Sequence, residues 1–178
     1  MIAELTNSHR DRRPARDATR AVMAWFVNNA KGMKLPTRVL VPTDFSDHAA
    51  SALDYAVALA HKLDATVYVL NAMSLQFAEY PISITSDVID SIMRSNTQEV
   101  EKLITERKGR CSFGASIYEV GDARLVIAQA ALKLDAELIV MGSHGRSGLK
   151  RMLLGSVAES VVRAATCPVL LVRAPSKA

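Results

Sequence analysis

An α/β fold built on a parallel sheet is what the sequence predicts, and three observations carry that reading. Five short apolar runs rich in β-branched residues are spaced between residues 38 and 173. Four segments with apolar residues at every third or fourth position separate them. Apolar residues make up 49% of the 178-residue chain and charged ones 22%, enough to bury a sizeable core in one domain. Strands spaced by helices pair in parallel through right-handed crossovers, which places helices on both faces of the sheet.

The elements follow in order. "RVLV" (38–41) is a short buried strand. "SDHAASALDYAVALAHKL" is a helix through Ala49, Leu53, Ala56, Ala60 and Leu63, with Ser46 as N-cap and Asp47 in its first turn. "ATVYVLNA" (65–72) is the second strand. Residues 87–108 read as a long helix through Val88, Ile92, Val100, Leu103 and Ile104, ended by Gly109. "ASIYEV" (115–120) is the third strand, and "DARLVIAQAALKL" a helix capped by Asp122. "AELIVM" (136–141) is the fourth strand, "SVAESVVRAA" (156–165) the fourth helix and "CPVLLVR" (167–173) the fifth strand.

Charge and composition exclude several function classes. The net charge is +4, and residues 1–35 hold seven Lys/Arg against three Asp/Glu, which accounts for all of it. Residues 36–178 are balanced, and only 5% of the chain is aromatic, so a nucleic-acid face on the domain is not expected. No apolar run reaches the ~18 residues of a membrane helix, so no membrane partner is expected either. Cys111 and Cys167 have no metal spacing and read as reduced, partly buried thiols of a cytoplasmic protein. Residues 1–35 form a basic extension, in which Thr19 to Asn28 suggests an apolar helical stretch carrying Trp25 and Phe26. Translation from Met33 would remove most of it.

In an open parallel sheet, ligands bind beyond the carboxyl ends of the strands. Two segments fall there: "PTD" after the first strand and "GSHG" after the fourth. The stretch "GSHGRSGLKRMLLGS" holds four of the eight glycines. Glycines leaving a strand and opening a helix bring backbone N–H groups close to an anion, and the helix dipole adds to the attraction. The Ser156 hydroxyl is placed to cap that helix or to reach a phosphate. The chain has no G-x-x-x-x-G-K-[ST] loop, no G-x-G-x-x-G and no S-G-G-x-D-S. It has Gly142-x-x-Gly145, nine residues, then Gly155-Ser156.

That spacing resembles the universal stress protein family. "VLVPTDFSDHAASAL" at the first strand–helix junction and "CPVLLVR" near the C-terminus are similar to the family as well. The resemblance covers about residues 36–174. It implies a three-layer sandwich: a five-stranded parallel sheet of order 3-2-1-4-5 with four helices, usually a homodimer through the last strand. It also implies an adenine nucleotide, ATP with or without Mg2+, as ligand. Pro42, Thr43 and Asp44 match the segment near the adenosine, with Asp44 at the ribose or adenine. Ala72 falls at an adenine contact and is smaller than the branched residue common there. Met141 and Gly142 begin the phosphate loop, and Gly145, Gly155, Ser156 and Val157 match phosphate-binding positions.

Other residues carry competing readings. Arg146, Lys150 and Arg151 suit either phosphate screening or a solvated basic loop. His144 sits between two glycines, where a general base is conceivable, but no carboxylate or nucleophile partners it in the sequence. His48 and His61 read as surface residues. Ser147 in "GRSG" is a weak phosphorylation signal. The function expected is an ATP-binding switch or sensor in stress response, its protein partner unnamed by the sequence. A slow ATPase or nucleotidyl-transfer enzyme, and an interaction protein with passively bound nucleotide, are the rivals. The absence of a P-loop lysine and of an acidic Mg2+ cluster beyond Asp44 argues against efficient hydrolysis.

Overall fold

The computed structural model describes residues 35–73, 86–145 and 154–174. The chain divides between Leu35 and Pro36, and every element below lies on the C-terminal side of that division. The expected helical stretch around Trp25, and Arg146, Ser147, Lys150 and Arg151, lie outside the described residues.

Ten elements alternate along the described chain. Strand β1 (Arg38–Thr43) leads into helix α1 (Asp47–Leu63) and strand β2 (Thr66–Met73). Helix α2 (Ser86–Thr105) precedes two short strands, β3 (Ser112–Phe113) and β4 (Ile117–Val120). Helix α3 (Ala123–Leu134), strand β5 (Leu138–Gly142), helix α4 (Ser156–Ala164) and strand β6 (Val169–Val172) complete the domain. All pairings are parallel, in the order β3-β2-β1-β5-β6, with β4 also on β2.

The sheet therefore has six strands where five were expected, because the third is broken. Gly114 continues the ladder through its N–H to the Val67 carbonyl, but the Tyr68 ring fills the space beside it. A Cβ on Gly114 would lie 2.1 Å from that ring, so a larger residue would have to displace the tyrosine, and regular pairing resumes only at Ile117. Counted as one edge, β3 and β4 restore the expected order. The helix before them also ends sooner than expected, at Thr105, and 3-10-type bonds from Arg107 to Ile104 and Lys108 to Thr105 tighten the chain before Gly109.

Alternation along the central strands builds two cores. Val39, Val41, Val67, Val69 and Val140 face α1 and α2, where Leu53, Ala56, Val57 and Val100 are buried. Leu40, Leu70, Ile139 and Met141 face α3 and α4, with Ile127, Ala131 and Val161. Side chains of neighbouring residues point to opposite faces, so a sheet covered on both sides needs continuous apolar strands. Fully burying each Val, Leu or Ile contributes about 1.5–3 kcal/mol.

Helix ends are closed by local chemistry at α1 and α3. Ser46 accepts the Ala49 N–H, and Asp122 accepts the Arg124 N–H. Asp64 and Asp135 end these helices in the left-handed region, at φ 53° and 54°. At the lower end of the sheet, Glu137 Oε2 accepts from the Thr37 N–H and hydroxyl, both at 2.7 Å, and so fastens the entry to β1.

One residue of β1 looks out of place in a central strand. Pro42 has no N–H for a ladder. Pairing of β1 with β5 is confined to Val39↔Leu138 and Leu40↔Ile139, so beyond Leu40 the two strands have parted. Pro42 stands where they separate, and there a crevice opens.

Candidate functional site

The crevice is a cavity of about 370 Å3 at the carboxyl ends of β1, β2 and β5. Ten of the residues expected at a ligand line it: Pro42, Thr43 and Asp44; Ala72; Met141, Gly142 and Gly145; and Gly155, Ser156 and Val157. The eleventh, Arg146, lies outside the described residues.

The turn after β1 is braced by side chains. Asp44 Oδ1 accepts the Ser46 N–H at 3.1 Å and the Ser46 hydroxyl at 2.6 Å. The Phe45 N–H donates to the Thr43 hydroxyl at 3.1 Å. Phe45 itself has φ 64°, a left-handed conformation that costs a bulky residue about 1–2 kcal/mol. Packing of its ring against the α1-side core offsets that strain. The result fixes Asp44 at the mouth of the cavity, with Oδ2 turned towards Gly145.

Beneath the turn is a relay of amides that sequence reading missed. Asn71, 5% exposed, donates Nδ2–H to the Thr43 carbonyl at 3.0 Å. Asn96 of α2 donates to Asn71 Oδ1 at 2.9 Å. A lone polar residue inside the apolar run "YVLNA" was the available signal, because a buried amide must be paired.

The other wall is backbone. Ser143, 2% exposed, accepts the Gly155 N–H through its carbonyl at 2.9 Å, joining the end of β5 to the start of α4. Its hydroxyl is 3.0 Å from His144 Nδ1. The N-cap of α4 is Gly155, and no side chain caps the helix. Ser156 is thus the first helical residue and not the cap it was expected to offer. The leading N–H groups of α4 border the cavity without a side-chain acceptor from the cap position.

The glycines have a packing reason as well as any ligand reason. A Cβ on Gly142 would lie 3.0 Å from the His48 carbonyl carbon, and one on Gly145 2.8 Å from Asp44 Oδ2. At Gly155 it would lie 3.3 Å from His144 Cα and the Ser143 carbonyl. His48 is half-buried, which corrects its expected surface position: its Nδ1 accepts the Ala174 N–H at 3.1 Å. His61 is exposed as expected.

Ala49, Ala123, Ile127, His144 and Ala158 complete the lining. Ala123 and Ile127 belong to the first turns of α3, which begin just after the β4 carboxyl end and so fell within the same positional rule. Asp122, just ahead of them, has its carboxyl held below the usual range by hydrogen bonds from the Arg124 side chain and N–H. Cys111 and Cys167 are free and half-buried, and burial raises both thiols. No group of three or more His, Cys, Asp or Glu suited to a metal occurs among the described residues, and no helix among them is long and apolar enough to cross a membrane.

Among its described lining residues the cavity offers a small apolar floor, one carboxylate on a braced turn and a helix start whose cap residue supplies no side-chain acceptor. Such a set can hold a flat, partly apolar group at one side and an anion at the other.

Comparison with known proteins bears on the same residues. A family model described as "Universal stress protein family" matches residues 36–173. Universal stress protein MJ0531 of Methanocaldococcus jannaschii is 35% identical over 150 residues, covering 82% of this chain and 87% of its own. The solved structure of hypothetical protein MJ0577 superposes with a TM-score of 0.71 at 27% identity, covering 79% of this chain and 98% of that one. A universal stress protein solved in complex with cAMP has TM-score 0.59 at 24% identity, over 80% of this chain and 100% of that one. One from Archaeoglobus fulgidus in complex with dAMP has 0.54 at 22%, over 76% and 97%.

Proposed function

The chain belongs to the universal stress protein family, and from that premise we propose that it binds ATP and acts as a nucleotide-dependent switch or sensor in stress response. The observation that carries the reading is the pairing of Asp44 with the uncapped start of α4 across one cavity. Its volume falls within the roughly 300–1,000 Å3 of small-molecule sites. Two structural neighbours were solved with adenine nucleotides, cAMP and dAMP.

In this reading the base rests against Pro42, Ala72, Ala123 and Ile127, and Asp44 accepts a hydrogen bond from the ribose. The phosphates meet the N–H groups of Gly145, Ser156 and Val157, and the Arg146 charge would neutralise them. Asp44 is the one carboxylate among the described lining residues. A Mg2+ would therefore enter on the phosphates, keeping most of its shell as water and phosphate oxygen. The domain spans 36–174, follows a basic extension and pairs with a second copy through β6 in the cytoplasm.

Native mass spectrometry of the purified protein, with calorimetry for ATP, AMP and adenosine, tests the reading. Co-purifying ATP or AMP, and an affinity order of ATP above adenosine, is expected. A folded protein that binds none of the three at millimolar concentration would overturn it.

A further inference from the structure

The loop holding Ser143 and His144 is bonded to the end of β6 and lies beside the His48 ring. Its Ser143 N–H donates to the Val172 carbonyl at the end of β6, at 2.9 Å. Two residues beyond Val172, the Ala174 N–H donates to His48 Nδ1 at 3.1 Å. The His48 ring, in the first turn of α1, has its centroid 5.5 Å from that of His144, tilted by 44°. Gly142 packs against the backbone of His48 with no side chain between them. His48 thus touches the end of the edge strand and the loop that borders the cavity.

The Ala174 bond dictates the proton state of the ring. Nδ1 accepts, so it is the bare nitrogen and Nε2 carries the hydrogen. A proton on Nδ1 would set a donor against a donor and break the tie. His144 of the loop lies near the ring, and the charged groups adjoining it along the chain are Asp44 in the turn after β1, Asp47 in the first turn of α1 and Arg173 beside Ala174.

We propose that His48 is a positioning residue: neutral, it latches the end of β6 to α1 and the cavity loop, and protonated, it releases that end. The latch would pass the state of the phosphate side of the cavity to the sheet edge, and the reverse, because coupling between two sites is reciprocal. The part concerning phosphate rests on the nucleotide reading; the part concerning the tie does not.

The test compares wild type, His48→Asn and His48→Ala in the full chain. Asn offers Oδ1 in place of Nδ1 and takes up no proton. Between pH 7.5 and 5.5, exchange protection of the Ala174 amide, corrected for intrinsic rate, should fall at least about tenfold in wild type. His48→Asn should keep its protection at both pH values, and His48→Ala should lack it at both. At pH 7.5 His48→Ala should bind ATP about three- to tenfold more weakly with adenosine unchanged, and His48→Asn should restore it.

Equal loss of protection in wild type and His48→Asn, or no loss in wild type, would overturn the latch. Wild-type ATP affinity in a folded His48→Ala would overturn its link to the cavity. If His48→Ala does not fold, the wild-type and His48→Asn profiles decide. If wild type binds no nucleotide, the nucleotide reading fails by itself, and the Ala174 profile still decides the latch.

Discussion

Two turns meet at the cavity, the one leaving β1 and the one entering α4, and they are built from opposite materials. The first is braced by side chains: the Thr43 hydroxyl accepts the Phe45 N–H, Asp44 accepts from Ser46, Asn71 donates to the Thr43 carbonyl from below, and Ser46 caps α1. The second is nearly all backbone: Gly155 bonds the Ser143 carbonyl, and α4 starts without a side-chain cap. A turn whose polar groups are consumed internally is stiff and presents one chosen atom. A turn of bare N–H groups presents many, and leaves their satisfaction to whatever enters. The contrast teaches that the cavity has a selecting wall and an accepting wall.

Substitutions can break that division. Gly142→Val carries the largest expected effect, because its branched Cβ would meet the His48 backbone, which cannot rotate away. Overpacking of this kind costs about 3 kcal/mol, so denaturant unfolding should show a lower midpoint together with lost binding. A variant as stable as wild type would mean the two walls do not touch there.

Asp44→Ala acts on the selecting wall. Removing a charge-assisted acceptor should cost about 1.5–3 kcal/mol of affinity for ATP and adenosine alike, by calorimetry. Loss confined to phosphate-bearing ligands would move Asp44 to the accepting wall. Ser46→Ala and Ser156→Ala form the sharpest pair, since both are serines at helix starts. The first removes a cap worth about 1 kcal/mol of stability. The second should change stability by less than about 0.5 kcal/mol, because no cap bond is lost. Equal destabilisation would erase the contrast.

The smallest effect concerns acid. Asp122 has its carboxyl depressed by Arg124, so its contribution is present above the unfolded-state value, about 3.9, and lost as pH falls through the lower folded value. Asp122→Asn should flatten stability against pH only below about pH 4, read by thermal unfolding in acid. A changed slope near neutrality would count against this assignment.

Much of this was legible in the sequence, for physical reasons. The two faces of the sheet follow from unbroken runs such as "RVLV", which leave no polar side. Ten expected ligand residues gathered in one cavity because strand ends and helix starts share one edge of a parallel sheet. What stayed hidden depends on contacts between distant residues. Nothing local to "FGAS" announces that Tyr68 will occupy the space beside Gly114. Nothing near His48 foretells that Ala174, 126 residues away, will donate to it. The glycines were attributed to a ligand when close neighbouring atoms, backbone at Gly142 and Gly155 and the Asp44 carboxylate at Gly145, also favour them, and a sequence alone cannot separate those two demands.

The break in the third strand has one further consequence. One edge of the sheet is broken after Phe113 into a two-residue and a four-residue piece, and the other, β6, is an unbroken Val-Leu-Leu-Val. A short, interrupted edge is a poor template for another chain. In the vocabulary of polymer chemistry, a subunit that paired through β6 alone would be monofunctional, with one reactive end. Monofunctional units couple once and stop. Edge pairing through β6, if it occurs as proposed, would end at two copies, and the break between β3 and β4 would be the chain terminator.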